Sequence, residues 1–387
     1  MAGLRTTDFH QQVGQLLILG FEGLAVDGDL RTTLATLEPG GVILFARNIE
    51  DPSQTWRLLR DCRSTASVPM FLCVDLEGGT VDRLKKVIAP APSLKDVFST
   101  SQPKLFRIHG KILGLEARAL GFNTDFAPVL DLGFESSRMV LGPRTASNDP
   151  KDAINYAREF LRGLKAAEVL GCGKHFPGLG EANLDTHHEL PSISKPWKKM
   201  WAEDLLPYRQ LKAQLPFVMV AHAAYPDALP AGAKGAGSNN AALPASLSRY
   251  WMTDVLRRKI GYRGLILSDD LEMGGVLAAG SIEEVAVETL RAGADMFLVC
   301  HNQELVWRAY EAVLKETERD REFRSQVVQA AQRVLNFKKR SLALRRFAAE
   351  PKAGVIKRLK QIVGEFSQLV AREDSLLTSI MPPENVL

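Results

Sequence analysis

The sequence predicts an α/β fold: one closed (β/α)8 barrel of the TIM type, a single catalytic domain followed by a helical C-terminal extension. Three observations predict it. Eight short apolar, β-branched runs recur along the chain, and amphipathic helical patterns separate most of them. No Gly-rich dinucleotide loop of the form G-x-G-x-x-G follows the first run. Alternating strand and helix implies a parallel sheet, and eight units within roughly 290 residues favour closure into a barrel over an open, doubly wound sheet.

The runs are continuously apolar, as strands covered on both faces are. They occupy residues 15–20, 41–45, 70–74, 124–129, 170–176, 217–221, 265–268 and 295–299. The fourth contains Pro128, which cannot donate to a ladder, and it reads poorly as a strand. Helical spacing at 53–64 precedes the third run, 104–120 the fourth, 151–167 the fifth, 245–260 the seventh and 282–292 the eighth. After about Leu342 no further strand appears. Basic residues cluster there, at Lys338, Lys339 and Arg340, at Arg345 and Arg346, and at Lys357 and Arg358. We read residues 1–342 as the barrel and 343–387 as a solvated helical appendage packed on it, with an anionic partner surface as the alternative. The last residues, from Met381, are expected to fray.

Composition narrows the class. The chain has 387 residues, 45% apolar and 24% charged, which excludes disorder as its main state. With 49 basic against 45 acidic residues the net charge is +4, giving no reason to expect nucleic acid as a partner. Cys62, Cys73, Cys172 and Cys300 are scattered, and three lie in apolar runs, so reduced thiols and a reducing compartment are expected. The N-terminus lacks the basic start and apolar core of a signal peptide. Apolar runs fall short of the about 20 residues that span a bilayer. A cytoplasmic protein with no membrane partner is the expectation.

Polar or ionisable residues follow seven of the eight runs: Arg47 and Asn48, Asp75 and Glu77, Asp131, Lys174 and His175, His222, Asp269 and Asp270, His301 and Asn302. Barrel active sites are assembled at the C-terminal ends of strands, so the pattern points to an enzyme. The loop after the fifth run is about 20 residues long before a helix resumes near Trp197, a length that favours function. Gly178 and Gly180 let it fold over a ligand. In an extended loop Asp185 and His187 point to one side, where a carboxylate can orient an imidazole; a surface hydrogen bond is the bland alternative. Of Asp269 and Asp270, at least one must face the mouth, while the other suits a helix N-cap. Asp75, followed by Glu77 and then Arg83, suits either a site carboxylate or a turn held by side-chain hydrogen bonds. Lys174 and His175 would bind hydroxyls or anions, since a buried lysine needs a partner. Two chemistries compete at this level. A metal hydrolase would use His175, His187, His188, His222 and Asp269, although no H-E-x-x-H spacing supports it. A Schiff-base enzyme would use Lys174 as nucleophile.

Taken in order, V-D-L-E-G-G-T-V-D-R at 74–83, F-A-P-V-L-D at 126–131 and K-H-F-P-G at 174–178 resemble glycoside hydrolase family 3, in its single-domain β-N-acetylglucosaminidase branch. The resemblance continues through Asp185-Thr186-His187, Ala221-His222, P-A-S-L-S at 244–248 and G-L-I-L-S-D-D-L-E-M at 264–273, and covers residues 10–305. It implies retaining, two-step hydrolysis, with Asp269 as nucleophile and His187, paired with Asp185, as acid/base. Most retaining glycosidases instead use two carboxylates about 5 Å apart. It further implies that Asp75, Arg83, Arg144, Lys174, His175 and His222 bind the sugar. The implied substrate is a small carbohydrate, terminal N-acetylglucosamine on peptidoglycan fragments during wall recycling, handled by a monomer without metal or organic cofactor. The sequence departs from the family pattern at Thr80, where arginine is usual, at Leu179, where histidine is common, and at 142–145, which match the usual Asn-Arg-Ser loosely. A β-glucosidase-like hydrolase, a glycoside phosphorylase and a non-catalytic sugar-binding barrel stay open as alternatives.

Overall fold

The structure is a computed structural model and describes residues 9–182, 190–229 and 243–372. Ten strands are present: β1 (Leu17–Leu19), β2 (Gly41–Leu44), β3 (Phe71–Val74), β4 (Leu76–Gly78), β5 (Val81–Asp82), β6 (Thr124–Asp125), β7 (Leu170–Phe176), β8 (Phe217–Val220), β9 (Leu265–Asp270) and β10 (Met296–Val299). Eight of them form a closed parallel barrel in the order β1-β2-β3-β6-β7-β8-β9-β10, while β4 and β5 make a small hairpin on the mouth. Closure is set by β10, whose Phe297 and Leu298 pair with Leu17 and Ile18 of β1. The predicted barrel is therefore the observed fold, and its strands are buried on both faces as their continuous apolar character requires.

The surrounding helices are α1 (Phe9–Gly14), α2 (Gly28–Leu37), α3 (Pro52–Ser64), α4 (Leu94–Ser99), α5 (Pro103–Ala119), α6 (Pro150–Ala166), α7 (Trp197–Ala202), α8 (Leu205–Leu211), α9 (Gly274–Leu277), α10 (Ile282–Ala292), α11 (Gln303–Arg319), α12 (Arg321–Arg340) and α13 (Ala353–Arg372). Local chemistry starts them where the sequence allows. Asp51 accepts from the N–H groups of Ser53 and Gln54 with Pro52 in the first turn, and Asp149 caps Lys151 ahead of α6 in the same way. Between α5 and α6 the backbones meet directly. A Cβ on Gly110 would sit 2.1 Å from the Phe160 carbonyl oxygen, so only glycine permits the crossing.

Three segments differ from expectation. The fourth strand is only two residues long, because Pro128 lacks a donor; the chain beyond rejoins the sheet at a single bridge, Val129 to Lys174. Residues 245–260 are not one helix. A 3-10 turn over Ala245–Leu247, its Ala245 and Ser246 N–H groups held by the Ala223 and Ala221 carbonyls, comes first, and a separate helix runs over Tyr250–Ile260 in the wider π winding. Lys338 is not solvated. It is 2% exposed under the barrel floor, donating to Gln15 Oε1 (2.7 Å) and the Gly40 carbonyl (2.8 Å), 5.0 Å from the Phe71 ring centre.

The extension is closely packed. Arg118 donates to the carbonyls of Ala343 and Arg346, and the Trp56 indole to that of Ala348. In α13, Phe366 stacks on His109 with ring centres 5.8 Å apart. All four cysteines are free and buried. Among the described residues, no helix is long and apolar enough to cross a membrane.

Candidate active site

The C-terminal ends of the strands gather a charged network at the mouth of the barrel. Lys174, near the end of β7, is 2% exposed, and its Nζ lies 2.8 Å from Asp75 Oδ1 and 2.6 Å from Glu77 Oε1. Arg144 grips Glu77 with two parallel bonds, Nε to Oε2 at 2.8 Å and Nη2 to Oε1 at 2.9 Å. Burial would raise the Glu77 carboxyl, but Arg144 and Lys174 outweigh it and hold it well below the usual carboxylate range. Burial would likewise deprotonate Lys174, and Asp75 and Glu77 reverse that, keeping the ammonium charged. A charged amine is no nucleophile, so the Schiff-base alternative falls. The side chain of Asp75 is 17% exposed against 4% for Glu77, so Asp75 is the carboxylate open to a ligand.

Backbone geometry delivers these groups. Asp125 accepts from the Leu76 N–H (3.0 Å), fixing the chain between Asp75 and Glu77. The tight β4–β5 turn uses Gly78 and Gly79 at φ 80° and 59°. Asp82 then accepts from Leu84 and Ala91 N–H groups and directs the exit of the hairpin, where Arg83 stands over the Phe45 ring. The buried Arg83 Nε has no hydrogen-bond partner among the described residues.

His175 is clamped by Asp131. The carboxylate accepts from ring Nδ1 (2.7 Å), from the His175 N–H (3.2 Å to each oxygen) and from the Leu179 N–H (2.8 Å). A carboxylate only accepts, so Nδ1 carries the proton and Nε2 is the nitrogen left for a ligand.

The Asp269–Asp270 pair divides its roles. Asp270 Oδ1 accepts from the Glu272 N–H, the turn-stabilising role, and Oδ2 lies 3.4 Å from His301 Nε2. Asp269 accepts only from the adjacent Asp270 N–H among the bonds described (2.8 Å). Burial pushes its carboxyl up, but the groups facing it, led by His175 and including that N–H and Lys174, pull harder, and the net position is below the ordinary aspartate value. Asp269 is thus a carboxylate kept ionised inside an enclosed mouth.

His222 lies beneath it, fully buried. Its Nε2 donates to the Asp270 carbonyl (2.9 Å), and burial lowers its pKa, so the neutral ring accepts from Ser246 Oγ at Nδ1 (2.7 Å). Both nitrogens are occupied. His222 therefore braces the Asp269–Asp270 backbone instead of reaching a ligand, and it is not available to the metal alternative either. Among the described residues no group of three or more His, Cys, Asp or Glu side chains could hold a metal ion.

The structure thus brings together Asp75, Arg83, Arg144, Lys174, His175 and Asp269, with His222 behind them. Asp185, His187 and His188 lie outside the described residues. Glu77 and Asp131 went unassigned in the sequence; the signal for both was the need of a buried lysine and histidine for acidic partners.

The chain matches the model of the glycosyl hydrolase family 3 N terminal domain over residues 9–337. A beta-hexosaminidase of Tolumonas auensis is 36% identical over 291 residues, 74% of this chain and 83% of that protein. A beta-hexosaminidase of Pseudomonas aeruginosa is 35% identical over 288 residues, 74% and 82% respectively. Among solved structures, a glycoside hydrolase family 3 beta-N-acetylglucosaminidase from a Paenibacillus species superposes with a TM-score of 0.84 at 30% identity. The match covers 94% of this chain and 69% of that one.

Proposed function

The chain belongs to glycosyl hydrolase family 3 and is a glycoside hydrolase; from that premise we propose a retaining, exo-acting β-N-acetylglucosaminidase that releases terminal N-acetylglucosamine from peptidoglycan-derived fragments. The observation that carries the reading is Asp269, an ionised carboxylate enclosed beside a network of paired cations. The named activities of the relatives support the sugar, and the four buried, free thiols support a cytoplasmic setting.

In the first step an Asp269 oxygen bonds to the anomeric carbon while the bond from that carbon to the leaving oxygen breaks. His187, oriented by Asp185, gives its proton to the leaving oxygen. In the second step a water oxygen bonds to the same carbon, its proton passes to His187, and the ester bond to Asp269 breaks. Both transition states carry positive charge on the sugar ring, which Asp269 faces. Asp75 accepts from sugar hydroxyls. Lys174 spends two of its three protons on Asp75 and Glu77 and has one for the sugar. Arg144 offers the sugar its Nη1 edge, since Nε and Nη2 are spent on Glu77. Arg83 and His175 Nε2 complete the grip, and His222 acts as a positioning residue. Such contacts speed the reaction only where they tighten in the transition state.

A 5-fluoro N-acetylglucosaminide should trap a covalent adduct, and peptide mass spectrometry should place the label on Asp269. Label on another residue, or none from an enzyme that turns over nitrophenyl N-acetyl-β-glucosaminide, overturns the assignment. A panel of nitrophenyl glycosides with and without phosphate checks the sugar and the acceptor. Preference for glucoside, or turnover that depends on phosphate, would replace this reading.

A further inference from the structure

A buried ion cluster ties the base of the loop between β7 and α7. Lys195 is 1% exposed, and its Nζ lies 2.6 Å from Asp204 Oδ2, 2.7 Å from Glu203 Oε2 and 3.1 Å from Glu181 Oε1, over the Phe134 ring at 4.8 Å. In the chain, Glu181 precedes Asp185 and His187 and Lys195 follows them, while Glu203 and Asp204 belong to the wall between α7 and α8. One ammonium therefore joins both ends of the loop to the barrel. Three carboxylates around it leave an excess of negative charge, and burial pushes Asp204 up to about 6, the Lys195 attraction offsetting only part.

The neighbouring backbone is fixed as well. Tyr225 donates to the Gly178 carbonyl (2.8 Å), and a Cβ on Gly178 would come within 2.8 Å of the Asp204 side chain. On the returning side, the Ala224 N–H donates to the Pro191 carbonyl and the Ile193 N–H to that of Ala224. Burying the Lys195–Asp204 pair, with Glu181 and Glu203 at its exposed rim, is costly for stability alone, since apolar residues of that volume serve as well.

We propose that Lys195 is a positioning residue for the reaction: by joining Glu181 to Glu203 and Asp204 it ties the two described ends of the segment that carries His187, and the acid/base step depends on that tie. The inference rests on the acid/base role of His187 proposed above. Misplacing a reacting group by about 1 Å costs on the order of a hundredfold in rate, and misplacing an acid matters most where the leaving group needs its proton.

The test compares aryl N-acetyl-β-glucosaminides carrying good and poor leaving groups. Lys195→Met should lower kcat on the poor leaving group by roughly tenfold to a hundredfold more than on the good one, with KM little changed. Glu181→Gln, at a site 34% exposed and so safe for folding, should shift kcat in the same direction by less, and Lys195→Arg should restore part of the loss. Lys338→Met, which removes a buried lysine from the opposite end of the barrel, should show no leaving-group dependence. Equal losses on both substrates in Lys195→Met and Glu181→Gln, or losses that track melting temperature as in Lys338→Met, overturn the proposal. His187→Ala is measured in parallel. If its loss depends on the leaving group and that of Lys195→Met does not, only the positioning role fails; if His187→Ala shows no such dependence, the acid/base reading fails and this proposal with it.

Discussion

Glu77 holds two cations at once, Arg144 and Lys174. Arg144 makes both its described side-chain bonds to that carboxylate, whereas Lys174 keeps Asp75 as a second partner. Glu77→Gln should therefore harm Arg144 more than Lys174. Leaving a buried charge unpaired costs about 3–5 kcal/mol, so the denaturation midpoint should fall clearly. KM for an aryl N-acetyl-β-glucosaminide should rise about tenfold as the cationic side of the mouth loosens. Covalent labelling of Asp269 should persist. An unchanged melting temperature and KM would show that Arg144 and Lys174 are held by something else. Asp75, Lys174, His175 and Asp269 were legible in the sequence because an ionisable group closing an apolar strand has few places to go. Glu77 was not, since its fit depends on an arginine 67 residues away, beyond what any local pattern carries. His222 was half legible. Its place at the end of β8 was foreseen, but the engagement of both ring nitrogens depends on Ser246, which nothing near His222 announces.

Elements were legible where hydrophobic period and caps agreed. The eight runs became eight barrel strands, and the fourth shrank furthest, to two residues ahead of the proline that had marked it. The segment at 245–260 kept its helical spacing while its first turn was captured by carbonyls of the β8 loop, a tertiary override that periodicity cannot foresee. At α12 the basic run Lys338–Arg340 looked solvated because charge is normally outside; Lys338 instead faces the barrel floor beside Phe71. Burial pulls its ammonium down to about 7 from an ordinary 10.5. The sign of the consequence follows. Between those values the unfolded chain holds a proton that the folded chain has released, so this group stabilises the fold fully above pH 10.5, and that stability is lost as pH falls through about 7. Urea unfolding from pH 7 to 10 should give a wild-type stability rising by up to a few kcal/mol relative to Lys338→Met. The difference between the two proteins isolates Lys338 from the thiols, which burial pushes above this range in the fold and which titrate within it only in the unfolded chain. A difference that stays flat would mean that the Gln15 and Gly40 oxygens keep Lys338 fully charged in the fold.

At the scale of the whole molecule the question is where the folding unit ends. The sequence divides the chain at Leu342, because strands stop there and basic residues gather, and on composition alone the remainder reads as an appendage. The contacts point the other way. In α13 the buried residues Leu359, Ile362, Val363, Phe366, Leu369 and Val370 recur at helical spacing on one face, which would be a bare apolar stripe without the barrel. Opposite them, His109 stacks on Phe366 while its Nδ1 shares a hydrogen with the Tyr156 hydroxyl, and burial holds its pKa down near 3. The segment leading to α13 covers Trp56, which is 8% exposed, lies 5.5 Å from the Phe347 ring and donates to the Ala348 carbonyl. Removing residues 343 onward would thus uncover Trp56 and the His109 pocket together. Phe366→Ala alone should cost about 3–5 kcal/mol, the usual penalty for emptying a phenylalanine site. A chain ending at residue 342 should melt far below the full protein, with Trp56 emission shifted to the red, and aggregate on warming. The truncated chain remaining folded, with unshifted emission and full hydrolysis of nitrophenyl N-acetyl-β-glucosaminide, would instead make the extension an appendage in the sense the sequence first implied. The basic side chains of the extension would then be free for an anionic partner.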